Sequence, residues 1–204
     1  MKWNELEPDS KRLPIENLTP RLGFVDAVRV LTLEDSPQPF VFFSQAARER
    51  VMEHAHSSNV ELGGLLVGAV YGRKPGNGAI AIHIHEAVPS EDFESTSVSL
   101  NMSPDVWQKA ACYRDQGLCV VGWYHTHPNL GAYFSGTDRS TQRGFFREPY
   151  SLGLVVDPIR GEEAWFIGPA SEPLSAAHLA RMGAHSSSRQ DPKATGLHVY
   201  HQVL

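Results

Sequence analysis

Gly122-Trp123-Tyr124-His125-Thr126-His127-Pro128-Asn129-Leu130-Gly131-Ala132-Tyr133-Phe134-Ser135-Gly136-Thr137-Asp138 holds a denser set of metal-binding side chains than any other part of this 204-residue chain. It continues Leu118-Cys119-Val120-Val121-Gly122-Trp123, an apolar run too short for a helix and read as a buried strand. Residues two apart on a strand project to the same face, so His125 and His127 would present their imidazoles together. Two nitrogen ligands at strand spacing make half of a zinc site. Asp138, with ten residues between it and His127, would return as an oxygen ligand and leave a fourth position for water, the catalytic rather than the closed structural arrangement. The same residues have a second explanation. Ser135-Gly136-Thr137-Asp138 fits a capping box, with Ser135 as N-cap and Asp138 reaching back to its amide. A strand-end His pair can likewise be a surface or hydrogen-bonded pair. On this stretch alone both readings stand.

Composition narrows the class. With 41% hydrophobic residues, 204 positions suit one well-cored domain with extensions. A formal net charge of −5 and no Lys/Arg cluster longer than Arg73-Lys74 argue against a nucleic-acid-binding surface and suit a protein or peptide partner. Cys112 and Cys119 form no Cys-x-x-Cys pair, so neither a disulfide framework nor a zinc ribbon is indicated. The N-terminus has no apolar signal core and no apolar run reaches membrane-spanning length, so the expectation is a soluble, cytoplasmic protein without a membrane partner.

Upstream of the central stretch, Pro8, Pro14 and Pro20 break residues 1–22, which read as an extended arm. Phe24 to Leu33, rich in β-branched residues, reads as a strand, as does Phe40-Val41-Phe42-Phe43. Ser44 is the N-cap of a helix over Gln45 to Ala55, with Ala46, Val51, Met52 and Ala55 on one face. Asn59 to Gly72 is an apolar strand with a lone carboxylate, Glu61, near its start; that group needs a partner, an exposed position or a task. The glycines at 63, 64, 68 and 72 lack the spacing of a phosphate cradle and fit close backbone packing. Arg73 to Gly78 is a turn, and Ala79 to Val88 alternates as a strand pairing back on the previous one. Its His83 and His85 have no carboxylate at ligand-like spacing and read as the polar face of that strand. Pro89 to Leu100, polar and acidic, would be a loop bordering a substrate groove.

Downstream, Ser103-Pro104 starts a helix to about Gln116 that Gly117 closes. After Asp138 a helix runs toward Gly144. Tyr150 to Val156 and Glu163 to Ile167 are two strands joined by an Asp157–Glu162 turn. Ser175 to Met182 reads as a short helix, and Ser186 to Pro192 as a flexible tail.

Glu61-Leu62-Gly63-Gly64-Leu65-Leu66-Val67-Gly68, taken with His125-Thr126-His127-Pro128 and Ser135-Gly136-Thr137-Asp138, resembles the JAMM (Jab1/MPN/Mov34) metalloprotease family over roughly residues 24 to 170. That family's motif is Glu, then His-Ser/Thr-His-Pro, then Ser-x-x-Asp with seven residues between the second His and the Ser. Each element is matched here. The resemblance implies an α/β fold of the α+β type, a single domain with a central mixed β-sheet flanked by helices. The expected division is an arm at 1–22, the zinc hydrolase domain at 23–170, and a short helix and tail at 171–204. It implies further that His125, His127 and Asp138 hold one catalytic Zn²⁺ with water as fourth ligand. Glu61 would be the general base and Ser135 would stabilise the oxyanion.

The reaction so implied is hydrolysis of an amide at the C-terminal glycine of a ubiquitin-like protein, in deconjugation or precursor maturation. The Asp157–Glu162 turn is short where some eukaryotic deubiquitinases carry a ubiquitin-gripping insertion, and there is no His/Cys cluster for a second zinc. The chain thus resembles the compact bacterial members, some of which accompany ubiquitin-like proteins with E1- and E2-like enzymes. Others process sulfur-carrier proteins, and members lacking the ligands serve as non-catalytic scaffolds.

Overall fold

The computed structural model describes residues 12–32, 36–72, 79–91, 93–95 and 100–182. In chain order the elements are β1 (Leu13–Pro14), α1 (Phe24–Thr32), β2 (Phe40–Ser44), α2 (Gln45–Ala55), β3 (Gly63–Gly72), β4 (Ala81–Pro89), β5 (Phe93–Ser95), β6 (Leu100–Met102) and α3 (Pro104–Ala111). They continue with β7 (Cys119–Thr126), α4 (Gly136–Phe145), β8 (Leu152–Asp157), β9 (Glu162–Ile167), β10 (Glu172–Pro173) and β11 (Leu179–Met182). One mixed sheet runs in the order β10-β9-β8-β7-β3-β4-β2-β11. β1 adds to β3 in parallel at Tyr71 and Gly72, beyond the point where β7 stops pairing at Gly68. The result is the mixed sheet flanked by helices that the family resemblance implies. Among the described residues no helix is long and apolar enough to cross a membrane.

Both faces of the sheet are covered, which is why its central strands read as unbroken apolar runs. On one face α2 inserts Ala47, Val51 and Ala55 against Leu66, Val70, Ile82, Ile84 and Tyr124. On the other, Val106 and Ala110 of α3 join Trp123, Phe134, Phe146 and Val155. Ser44 caps α2 by accepting the Ala47 amide at 3.1 Å. The buried stripe of α2 begins at Ala47; Ala46, expected to face the core, is exposed.

Close backbone approach, rather than conformational freedom, explains two of the glycines at the centre. A Cβ on Gly122 would lie 2.2 Å from the Leu152 carbonyl oxygen of β8, and one on Gly64 would lie 2.4 Å from the Val88 carbonyl and 2.6 Å from the Tyr124 ring. Neither position accepts a side chain without moving a neighbouring strand.

Several expectations change. Phe24–Thr32 is a helix, not a strand: Asp26, Ala27, Arg29 and Val30 turn inward with a 3.6-residue period, and Arg29 reaches Asp26 at 3.3 Å one turn away. Its β-branched content is a weak prior that this context overrides. The segment read as an extended arm is, over its described residues 12–22, folded onto the sheet. Its 3-10 turns Ile15–Asn17 and Thr19–Arg21 bury Ile15 and Leu18 with Val30, Phe40 and Tyr71. Residues 1–11 lie outside the described residues. Ser175–Met182 is not a helix but a 3-10 turn, Ala176–His178, followed by β11. That strand pairs in parallel with β2, beyond the boundary expected at residue 170. The helix from Pro104 ends at Ala111; Gly117, at φ +74, closes a separate 3-10 turn, Arg114–Gln116.

Pro89–Leu100, read as a loop, contains β5, which pairs with β6 as a two-stranded sheet. The turn at Arg73–Gly78 and the tail at Ser186–Pro192 lie outside the described residues.

Candidate metal centre

The five motif residues converge at one end of the sheet. His125 and Thr126 are the last residues of β7, and the His127 amide continues the β8 ladder by donating to the Val156 carbonyl at 2.9 Å. The threonine between the two histidines fixes the neighbouring segment. Its Oγ1 accepts the Leu62 amide at 2.9 Å while its own amide donates to the Leu62 carbonyl at 2.8 Å. This double link sets Glu61, one residue earlier, beside the histidines. Glu61 therefore precedes β3 rather than lying within it.

The imidazoles point together as strand alternation requires, with Nε2 of His125 3.1 Å from Nε2 of His127. Asp138 Oδ1 lies 3.2 Å from His125 Nε2, and its Oδ2 lies 3.8 Å from His127 Nε2. One ligand atom from each of these three residues falls within 4.8 Å of the others, and all three residues are buried. His127 Nδ1 faces the Gly131 carbonyl at 3.3 Å. A carbonyl only accepts, so that nitrogen carries the proton and the Nε2 lone pair faces the cluster. Two nitrogens and a carboxylate oxygen, converging from one side, fit a zinc ion with an open fourth position.

The capping box forms, and Asp138 also belongs to the converging group. Ser135 Oγ accepts the Asp138 amide at 3.2 Å, and the Ser135 amide donates to Asp138 Oδ2 at 2.6 Å, the reciprocal capping box of α4. Asp138 turns Oδ2 to the cap and Oδ1 to the His125 ring. Glu61 Oε1 lies 4.0 Å from His127 Nε2 with its side chain 29% exposed, at the solvent-facing rim.

Protonation favours cation binding. Burial pushes the pKa of His127 down, and His125 adds to this against the opposing pull of Asp138 and Glu61, so the ring is neutral at pH 7. Burial works to raise Asp138, but hydrogen bonds from His125 and Ser135 outweigh it and hold the carboxyl below its ordinary value. His83 and His85 form a separate pair, ring centroids 3.9 Å apart. Burial, with His85 and Arg21, lowers His83 to about 3, and no carboxylate or thiolate completes a ligand group there among the described residues.

Three residues that sequence reasoning passed over support the cluster. Asp157, read as a turn residue, accepts the amides of Asn129 (3.0 Å), Gly131 (2.7 Å), Ile159 (3.0 Å) and Arg160 (3.0 Å). It thereby straps the His127–Gly131 turn, where Asn129 at φ +62 and Gly131 at φ +91 are left-handed. Trp123 stacks on His125, and Gln142 holds the Trp123 indole. The available signals were spacing: Trp123 is two residues before His125 on one strand face, and Gln142 is four after Asp138 on one helix face.

Asp157 gives a pH test. Burial opposes its ionisation, but the amides of Arg160, Gly131, Asn129 and Ile159 hold the carboxyl at about 2, against an ordinary 3.8. A depressed carboxyl contributes stability fully above its ordinary value and loses it as pH falls through the folded one. Asp157→Asn is expected to melt lower than the parent at neutral pH, with the gap narrowing from about pH 4 downward. Melting curves of both proteins across that range check this, and a constant gap would exclude the charge as its source.

Comparison with known proteins decides the family. The profile of prokaryotic homologs of the JAB domain matches residues 44–168, spanning β2's last residue to the end of β9. The chain belongs to this JAB family. Within the wider JAMM group, it is 36% identical over 132 residues to the histone deubiquitinase MYSM1 of Branchiostoma floridae, covering 61% of this chain and 16% of that protein. It is 32% identical over 125 residues to COP9 signalosome complex subunit 5 of Caenorhabditis elegans, covering 56% of this chain and 31% of that protein. Against the 26S proteasome regulatory subunit RPN11 of Eremothecium gossypii it is 28% identical over 177 residues, covering 83% of this chain and 51% of that protein. The match thus takes in about half of each of these relatives or less. The solution structure of protein DSY2949 from Desulfitobacterium hafniense shares the fold, with a TM-score of 0.52 at 19% identity over 70% of this chain and 93% of that one. The JAB family assignment places Glu61, the His pair and the capping box inside the matched stretch.

Proposed function

We propose that this JAB-family chain is a zinc-dependent isopeptidase or peptidase that cleaves the amide at the C-terminal glycine of a ubiquitin-like protein. The observation that carries the reading is the convergence of His125, His127 and Asp138 on one point with Glu61 at its open rim. His125 Nε2, His127 Nε2 and Asp138 Oδ1 would hold the ion. Zinc in such a set acts as a Lewis acid that acidifies water and polarises a carbonyl.

Glu61 is a carboxylate that nothing in the cluster consumes, placed where it can take a proton from water and return it to the departing amine. The Ser135 hydroxyl donates toward oxygen charge developing at the carbonyl. The deubiquitinase among the relatives acts, by its name, on ubiquitin attached to a histone, which supports a ubiquitin-like modifier as the substrate class here. The partner is then that modifier or its conjugate, and E1- and E2-like enzymes would supply such conjugates.

The test is a panel of ubiquitin-like proteins, each as a lysine isopeptide conjugate and as a linear C-terminal extension, incubated with the zinc-loaded protein. Cleavage directly after the terminal glycine, abolished by a chelator and restored by zinc, is expected. Failure to cut any member while zinc is bound at one equivalent would leave a binding module rather than a hydrolase.

A further inference from the structure

The two histidines are held in different ways. A metal-ligating imidazole ordinarily donates its remote N–H to a carboxylate or carbonyl, which fixes the plane of the ring. His127 does so through Gly131. His125 does not: its Nδ1 is buried and meets no hydrogen-bond partner among the described residues. Its plane is set by an aromatic face instead. The Trp123 ring lies parallel to it, with centroids 4.6 Å apart at 10°.

Trp123 is itself held by several partners. It also stacks with Phe146 at 5.8 Å and 9°, and Phe134 packs against it at 5.7 Å. Its indole N–H donates to Gln142 Oε1 at 2.6 Å. The Gln142 amide nitrogen donates to the carbonyls of Ser151 at 3.0 Å and Gly168 at 3.3 Å, tying α4 to the segments flanking β8 and β9. Gln142 is fully buried, and it stands one turn after Asp138 on the same face of α4. One helix therefore supplies both the oxygen ligand and the clamp on the platform beneath the nitrogen ligand.

We propose that Trp123 and Gln142 are the positioning residues of His125, the stacked and clamped indole replacing the missing hydrogen bond at Nδ1. The inference rests on the reading of His125 as a metal ligand. Removing the indole frees the ring to tilt about its Cβ–Cγ bond, so the three ligand atoms no longer converge. Loss of the partner that orients a ligand weakens metal binding by about 10- to 100-fold.

The experiment measures zinc affinity by competition with a chromophoric chelator and records the visible spectrum of the cobalt-substituted protein. The variants are Trp123→Leu and Trp123→Phe, with Leu154→Ala as a buried control in the core cluster that contains α2. Trp123→Leu is expected to bind zinc about 10- to 100-fold more weakly with displaced cobalt bands. Trp123→Phe, which restores a ring face, should recover most of that loss, and Leu154→Ala should bind as the parent does. Parental affinity and an unchanged cobalt spectrum in folded Trp123→Leu overturn the proposal. Should that variant not fold, parental values in Gln142→Met overturn it equally, and weakened binding there supports it. A parent that binds no zinc would overturn the metal reading as well, which separates the two failures.

Discussion

Glu61→Gln is expected to slow amide cleavage by about 10²- to 10⁴-fold, the range supplied by a positioned general base, while zinc content stays at one equivalent. The geometry separates these effects. Glu61 is not one of the three converging residues, and its Oε1 lies 4.0 Å from His127 Nε2. The backbone that carries it is fixed by Leu62 through Thr126, not by the carboxylate. Glutamine keeps the size and the acceptor oxygen but cannot take up a proton at neutral pH. The loss should therefore fall on kcat with little change in KM, the pattern of an interaction made in the transition state. Measured rates within tenfold of the parent, with zinc bound, would remove Glu61 from the mechanism.

The second large effect is expected at Asp138, where one carboxylate has two tasks. Asp138→Ala deletes the proposed oxygen ligand and the acceptor of the Ser135 amide together. Zinc affinity should fall by more than about 100-fold, beyond what loss of an orienting neighbour alone produces. The metal-free protein should lose about 1 kcal/mol from the broken cap, lowering its melting temperature by about 2–4 °C in a chain of this size. Asp138→Asn separates the tasks: its amide oxygen can still accept the Ser135 amide, but the ligand charge is gone. The expected result is near-parental melting without metal and strongly weakened zinc binding. Equal zinc affinity in all three proteins would mean that the cluster is only a capped helix beside a His pair.

The converging His125, His127 and Asp138 were legible because their geometry is local. His-x-His on a strand and Ser-x-x-Asp at a helix start are spacings that the backbone turns directly into shared faces. Glu61 was conspicuous as a carboxylate at the head of an apolar strand, and acquired a role only through the family motif. What escaped is tertiary. α1 carries strand-favouring residues, but Phe24, Val25, Val28 and Leu31 remain exposed on its outer side, so apolar content did not mark a buried face. β11 has four residues with no alternation, and only the parallel pairing with β2 makes it a strand. Trp123, Gln142 and Asp157 looked like core and turn residues because the partners that define them lie 19, 9 to 26, and 26 to 28 positions away.

The link between Leu62 and Thr126 spans 64 positions, whereas the three proposed ligands sit together within one short segment. These halves differ in the length of loop each must close as the chain folds. Bringing Glu61 beside the proposed ligands requires β3 to pair with β7 and close the long loop, a non-local step that is intrinsically slower. On the roles proposed here, a chain caught midway could already hold its ion yet have no base beside it. Hydrolytic competence would then be the last property acquired, and an unfinished molecule would be spared from cutting itself or its neighbours.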